Sequence, residues 1–149
     1  MEPDHTRPEG VDDATVEAVG TLSEALEWVE RARGRLYDLH QMIGHADLLL
    51  DEAATGLESA GHDEHARRLR EDLIGRNVLD GRWTFQVVEE FDRLYYEAFR
   101  GVEADVRGAL LAGRRHVFEA EMKERRRTHG RGGHEHRPPA AHDSQVPTS

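Results

Sequence analysis

Apolar or small residues recur from Leu22 onward in alternating three- and four-residue steps: Leu22, Ala25, Val29, Ala32, Leu36, Leu39, Ile43, Ala46, Leu50, Ala53 and Leu57. A stripe with that spacing winds along one face of a helix and forms a heptad seam. One half of the repeat is large and the other is mostly alanine, with Leu39 the exception. Thr21-Leu22-Ser23-Glu24 fits a capping box and predicts the helix start. Glu58-Ser59-Ala60-Gly61 predicts its end, with Gly61 just past the last turn.

The polar–apolar pattern predicts two further helices. Ala66, Leu69, Leu73 and Ile74 form one stripe, giving a short helix from about His62 or Asp63 to Arg76. Asn77-Val78-Leu79-Asp80-Gly81 then turns the chain. A third helix starts near Arg82–Thr84 and runs towards Arg127, with a stripe that includes Val88, Phe91, Tyr95, Ala98, Val102 and Val106. Its steps drift from three-four towards four-four-three, so it cannot stay in register with the first seam. Gly101, Gly108 and Gly113 mark where it would break into a fourth helix. The alanine row of the first helix would face the large Phe91 and Tyr95 of the third, small against large.

No proline lies between Pro8 and Pro138, and no sustained period-two alternation appears. The expected fold class is therefore all-α: a long antiparallel helical hairpin or bundle of three helices, or four if the third breaks, with disordered termini. The expected division is an acidic disordered arm over 1–20, a helical bundle domain over 21–127, and a disordered Arg/His/Gly/Pro-rich tail over 128–149.

Charge refines this division. The chain of 149 residues has a formal net charge of -10. Residues 1–122 hold 14 basic against 27 acidic residues, and residues 123–149 hold 6 against 3. An acidic body would repel nucleic acid, so binding through Arg125, Arg126, Arg127 and Arg131 is a weak expectation. No apolar run approaches the roughly 20 residues of a membrane span, and the N-terminus lacks a signal-peptide pattern. With no cysteine there is no thiol chemistry. A cytoplasmic location is the simplest expectation.

The densest mixed cluster runs from Arg76 to Gln86, followed by Glu90, Tyr95 and Tyr96. Aromatics beside polar groups are what closes the end of a helical bundle, the leading reading here, and they also have the composition of a binding hot spot. Arg82, Trp83, Phe85, Gln86, Glu90, Tyr95 and Tyr96 are the candidate partner surface. Glu90 with Tyr95 or Tyr96 is a candidate acid–phenol pair.

Candidate metal ligands are His40 and Asp47 beside the seam, His62 and His65 at one helix start, and His116 with Glu119, three residues apart. A ferritin-like di-iron bundle uses Glu-x-x-His on two helices. Here the only Glu-x-x-His is Glu2 to His5, outside any predicted helix, and His116-x-x-Glu119 reverses the order. No cofactor is assignable, and no nucleophile–base or phosphate-loop signature is present. An enzyme is the minority reading. The leading expectation is a protein-interaction or structural module acting as a homodimer, because few core residues are available per turn. The alternatives are a metal- or cofactor-binding bundle and weak nucleic-acid contact through the tail.

Overall fold

The computed structural model describes residues 3–136. The rest of the expected tail, including Arg137 and His142, lies outside them. The described chain is helical and contains no strand. A 3-10 turn, Pro3–His5, precedes α1 (Asp13–Ser59), α2 (Asp63–Asp72) and α3 (Thr84–Phe91). A π-helical turn, Asp92–Tyr96, leads directly into α4 (Glu97–Leu111), and α5 is Val117–Arg126. Counting α3, the π turn and α4 as one continuous helix gives four helices. No helix of the described residues is long and apolar enough to cross a membrane.

The helix ends follow local chemistry. α1 starts at Asp13 and not at Thr21, because Asp12 Oδ1 accepts the Thr15 N–H at 2.8 Å and caps the first turn. Thr21 instead donates its hydroxyl to the Glu17 carbonyl inside the helix, at 3.0 Å. Asp12→Ala should therefore lower stability by about 1 kcal/mol. Thr21→Ala should change it by less than about 0.5 kcal/mol. Thermal unfolding followed by circular dichroism tests this contrast, and equal losses would refute the assigned start.

At the other end, Gly61 N–H bonds to the Glu58 carbonyl (3.0 Å) and His62 N–H to the Leu57 carbonyl (2.7 Å). This is a Schellman closure with Gly61 at φ +83°. The third expected helix breaks after Leu111, where Ala112 (φ +52°) and Gly113 (φ +74°) are both left-handed.

The chain forms two compact units. Met1–Glu24 with Val102–Ser149 make one, and Ala25–Gly101 the other. The core of the first consists of Val16, Val19, Leu111 and Val117, with Val11 and Val106 packed against it. The segment before Thr21 thus supplies two of the four buried core residues of that unit, Val16 and Val19. Its arm is tied down by Arg7, which donates two bonds to Glu121 (2.9 and 2.8 Å) and one to Asp13 (2.6 Å). Arg114 adds a bond to the Thr6 carbonyl at 2.5 Å.

In the second unit α1 turns inward a row different from the apolar seam. The covered positions are Val29, Arg33, Leu36, His40, Ile43, Asp47, Leu50, Ala54 and Leu57, still at heptad spacing. The large half of the seam is retained, while Arg33, His40, Asp47 and Ala54 take the other half. The alanine row is a correction: Ala32, Ala46 and Ala53 are exposed and do not meet Phe91 and Tyr95. They belong to an outward row, Trp28, Ala32, Arg35, Leu39, Met42, Ala46, Leu49 and Ala53.

The stripe along α3 and α4 is displaced in the same way. Val88 is buried, but beyond it the buried positions are Tyr96, Glu103 and Leu111. Tyr95 is 52 % and Val102 59 % exposed, so the expected stripe is off by one residue. The π turn is the cause. Its i→i+5 pattern inserts an extra residue and moves the most buried positions that follow by about one residue, to Tyr96 and Glu103.

Candidate functional site

The inward row of α1 carries Arg33, His40 and Asp47 seven residues apart, so all three point the same way from successive double turns. Each grips a different feature of the same unit. Arg33 Nε and Nη2 donate to Asp92 Oδ1 and Oδ2 at 2.7 and 2.9 Å, across the first residue of the π turn. His40 Nδ1 lies 2.8 Å from the hydroxyl of Thr84, the buried first residue of α3. Asp47 Oδ1 accepts the Gly75 N–H at 2.8 Å and holds the turn after α2. One turn before Arg33, Glu30 Oε1 accepts the Tyr96 hydroxyl at 2.5 Å.

As residue numbers rise along α1 from Glu30 to His40, those of the partners fall from Tyr96 through Asp92 to Thr84. The π turn is therefore held at both ends, at Asp92 and Tyr96. Arg33 also covers the Tyr96 ring, 4.6 Å from its centroid, and Arg100 lies 5.5 Å from the same ring. These are cation–π distances.

The electrostatics follow from the geometry. The Arg33 guanidinium holds the Asp92 carboxyl below the usual carboxylate range, against the opposing effect of burial. The Tyr96 phenol is pushed up by its bond to Glu30, by burial and by the Glu30 charge. Its folded value is raised, so its contribution to stability is present below the unfolded phenol value and is lost as pH rises through the folded one. In an alkaline titration of phenolate absorbance, one of the three tyrosines should ionise late. Tyr96→Phe should abolish that late step and lower stability by about 1 kcal/mol. An unchanged late step in the variant would show that another tyrosine causes it.

The first unit holds a second buried charge. Glu103 is 3 % exposed. It accepts the Ser23 hydroxyl at 2.9 Å and Arg107 Nε and Nη2 at 2.8 and 3.3 Å. Burial alone would raise its pKa, but the hydrogen bonds from Arg107 and Ser23 outweigh burial and hold it below the usual range.

The expected partner surface divides. Arg82 pairs with Glu90 at 2.6 Å, so Glu90 is not the acid of the acid–phenol pair, which is Glu30 with Tyr96. Gln86 Oε1 accepts the Trp83 N–H at 2.8 Å and caps α3. Phe85 and Tyr95 are exposed, whereas Tyr96 is buried. Tyr95 lies between Phe91 and Phe99, at centroid distances of 5.6 and 6.0 Å.

Among the candidate ligands, His40 and Asp47 are drawn to separate partners. His62 and His65 come together, with ring centroids 6.4 Å apart. His116 precedes α5 and places Nδ1 3.8 Å from Glu119 Oε1. In the basic stretch, Arg127 is paired with Glu124 at 2.6 and 2.8 Å, while Arg125, Arg126 and Arg131 are exposed. His129 Nε2 also lies 3.0 Å from Glu124. Arg127, with His136 and His129 nearby, holds Glu124 down to about 2.

The residues that sequence reasoning missed are Glu30, Arg33, Thr84, Asp92, Glu103 and Arg107. The available signal was Arg33-x6-His40-x6-Asp47, a polar heptad row beside the apolar one. No family model, curated protein or solved structure matches this chain.

Proposed function

We propose that the chain is a protein-interaction or structural module that acts as a homodimer. In this reading α1 lies antiparallel against a later helix within each unit. The falling order of partners along α1 supports that arrangement, and the polar row Arg33, His40 and Asp47 fixes its register rather than performing chemistry. Buried polar groups with specific partners set register in helical pairs.

The observation that carries the reading is the poverty of the second unit's own core. Its buried apolar residues are Ala54, Ala66, Val88 and Tyr96 alone among the described residues. Trp28, Met42, Leu48, Leu79 and Leu94 of the same unit are each more than half exposed. Apolar surface left uncovered on this scale marks a protein interface. Phe85 and Tyr95 are exposed and Arg82, Trp83, Gln86 and Glu90 are half-buried, and these residues are the second candidate surface for a protein partner; Tyr96, which is buried, is not part of it.

Light scattering at micromolar concentration tests the homodimer. The expected mass is twice the 16.9 kDa of one chain. A species at the single-chain mass refutes it.

A further inference from the structure

The inference rests on the homodimer reading and names its interface. The outward row of α1 repeats at heptad spacing and is left uncovered by the chain. Trp28 is 61 %, Met42 64 %, Leu49 47 % and Leu39 37 % exposed. A stripe of period 3.5 stays against a partner only if that partner is a helix of the same period. A second copy of α1 supplies one.

The sizes along the row decide the direction. Parallel pairing in register sets Trp28 on Trp28, Arg35 on Arg35 and alanine on alanine, with like charges together and voids between. Reversing one copy about the level of His40 and Gln41 matches the row to itself differently. Trp28 then meets Ala53, Leu49 meets Ala32, and Arg35 meets Ala46, each large residue opposite a small one. Leu39 meets Met42 at the centre.

The free flank of the row repeats the same symmetry. Arg31, Asp38, His45 and Glu52 lie along it at seven-residue intervals. The same reversal brings Arg31 beside Glu52 and Asp38 beside His45, which places opposite charges together at both ends. The other flank, with Val29, Leu36, Ile43 and Leu50, is already turned into the unit. A hollow lined by Trp28, Arg31, Ala32, Gly34, Arg35 and Asp38 lies where Leu49 of the second copy would seat. The Arg31 guanidinium is stacked 4.7 Å over the Trp28 ring at its edge.

We propose that α1 pairs antiparallel with α1 of a second copy about a two-fold axis at the level of His40 and Gln41. Trp28 of each copy rests on Ala53 of the other. The contact is isologous, so it closes as a dimer.

The chain has no cysteine, so introduced thiols report distances without interference. Arg35→Cys and Ala46→Cys are made separately in the full chain, and circular dichroism checks that each folds. They are mixed in equal amounts, equilibrated under reducing conditions and treated with a short bis-maleimide. The expected result is cross-linked dimer in the mixture and in neither variant alone. In the antiparallel register two copies of the same position stand eleven residues apart in level, about 16 Å.

Cross-linking of each variant with itself means parallel pairing and overturns the proposal. A dimer by light scattering with no cross-link in the mixture places the interface elsewhere: the homodimer reading survives and this one fails. A single-chain mass refutes both. As an independent arm, Arg31→Glu should weaken dimerisation about tenfold, and adding Glu52→Arg should restore it. A double variant no tighter than the single one overturns the register.

Discussion

Replacing Arg107 with alanine should destabilise the first unit by about 3–5 kcal/mol at neutral pH, the cost of leaving a buried carboxylate without its cation. Glu103 is almost wholly buried, and Arg107 supplies two of its three side-chain hydrogen bonds. The same arginine donates to the Gly113 carbonyl at 2.6 Å and closes the end of α4, so the substitution also frees that turn.

The pH dependence gives the prediction its signature. In the wild-type chain Glu103 titrates below its ordinary range. Its contribution to stability is therefore present above the unfolded carboxyl value and is lost as pH falls through the folded one. Without Arg107, burial dominates and raises the folded value. The defect should then be largest at neutral pH and shrink on acidification, because a protonated Glu103 needs no cation. Urea unfolding at pH 7 and near pH 4.5, followed by circular dichroism, measures both. A loss below about 1 kcal/mol, or one independent of pH, would mean that water or another group serves Glu103 equally well. Arg107→Leu combined with Glu103→Leu removes both charges and should recover much of the loss.

The second large effect concerns the sign of a glycine substitution. Glycine inside a helix costs about 0.5–1 kcal/mol relative to alanine, so Gly→Ala in α1 should stabilise where there is room. Gly44 has room, with nothing within 4 Å of an added Cβ, and Gly44→Ala should gain about that amount. At Gly20 an added Cβ would stand 3.1 Å from the Phe118 Cβ and 3.4 Å from its Cγ. A side chain's Cβ moves only with its backbone, and the preceding Val117 anchors α5 at 2 % exposure. Gly20→Ala should therefore lose about 1 kcal/mol or more, because overpacking exceeds the helix gain. Parallel urea titrations of the two variants decide the matter. Stabilisation by both would show that α5 yields freely.

The helical class was legible from the proline-free stretch and from three- and four-residue steps. The Gly61 closure was legible because a Schellman turn depends on six consecutive residues, Leu57 to His62, and on little else. The start of α1 was not, because Thr21 and Asp12 both fit the N-cap pattern, and burial of Val16 and Val19 against Leu111 and Val117 decides between them. His40 and Asp47 stand beside the seam in the sequence, but their partners, Thr84 and the Gly75 amide, are remote in sequence. Tyr95 and Tyr96 are adjacent in the sequence, and only the π turn separates the buried ring from the exposed one.

By itself the sequence determined the helical class and, for α1, its heptad period, its end at Gly61 and the large half of its buried row. Those properties are local, since hydrogen bonds to the fourth residue and side-chain spacing set them within one helix. Tertiary structure alone decided which second row faces in. On α1 the choice between the alanines and the Arg33, His40 and Asp47 row is a rotation of a fraction of a turn. Contacts tens of residues away settle it. Asp92, Thr84 and Gly75 offer those polar groups hydrogen bonds that alanine cannot replace, and the π turn brings Asp92 and Tyr96 round to meet them.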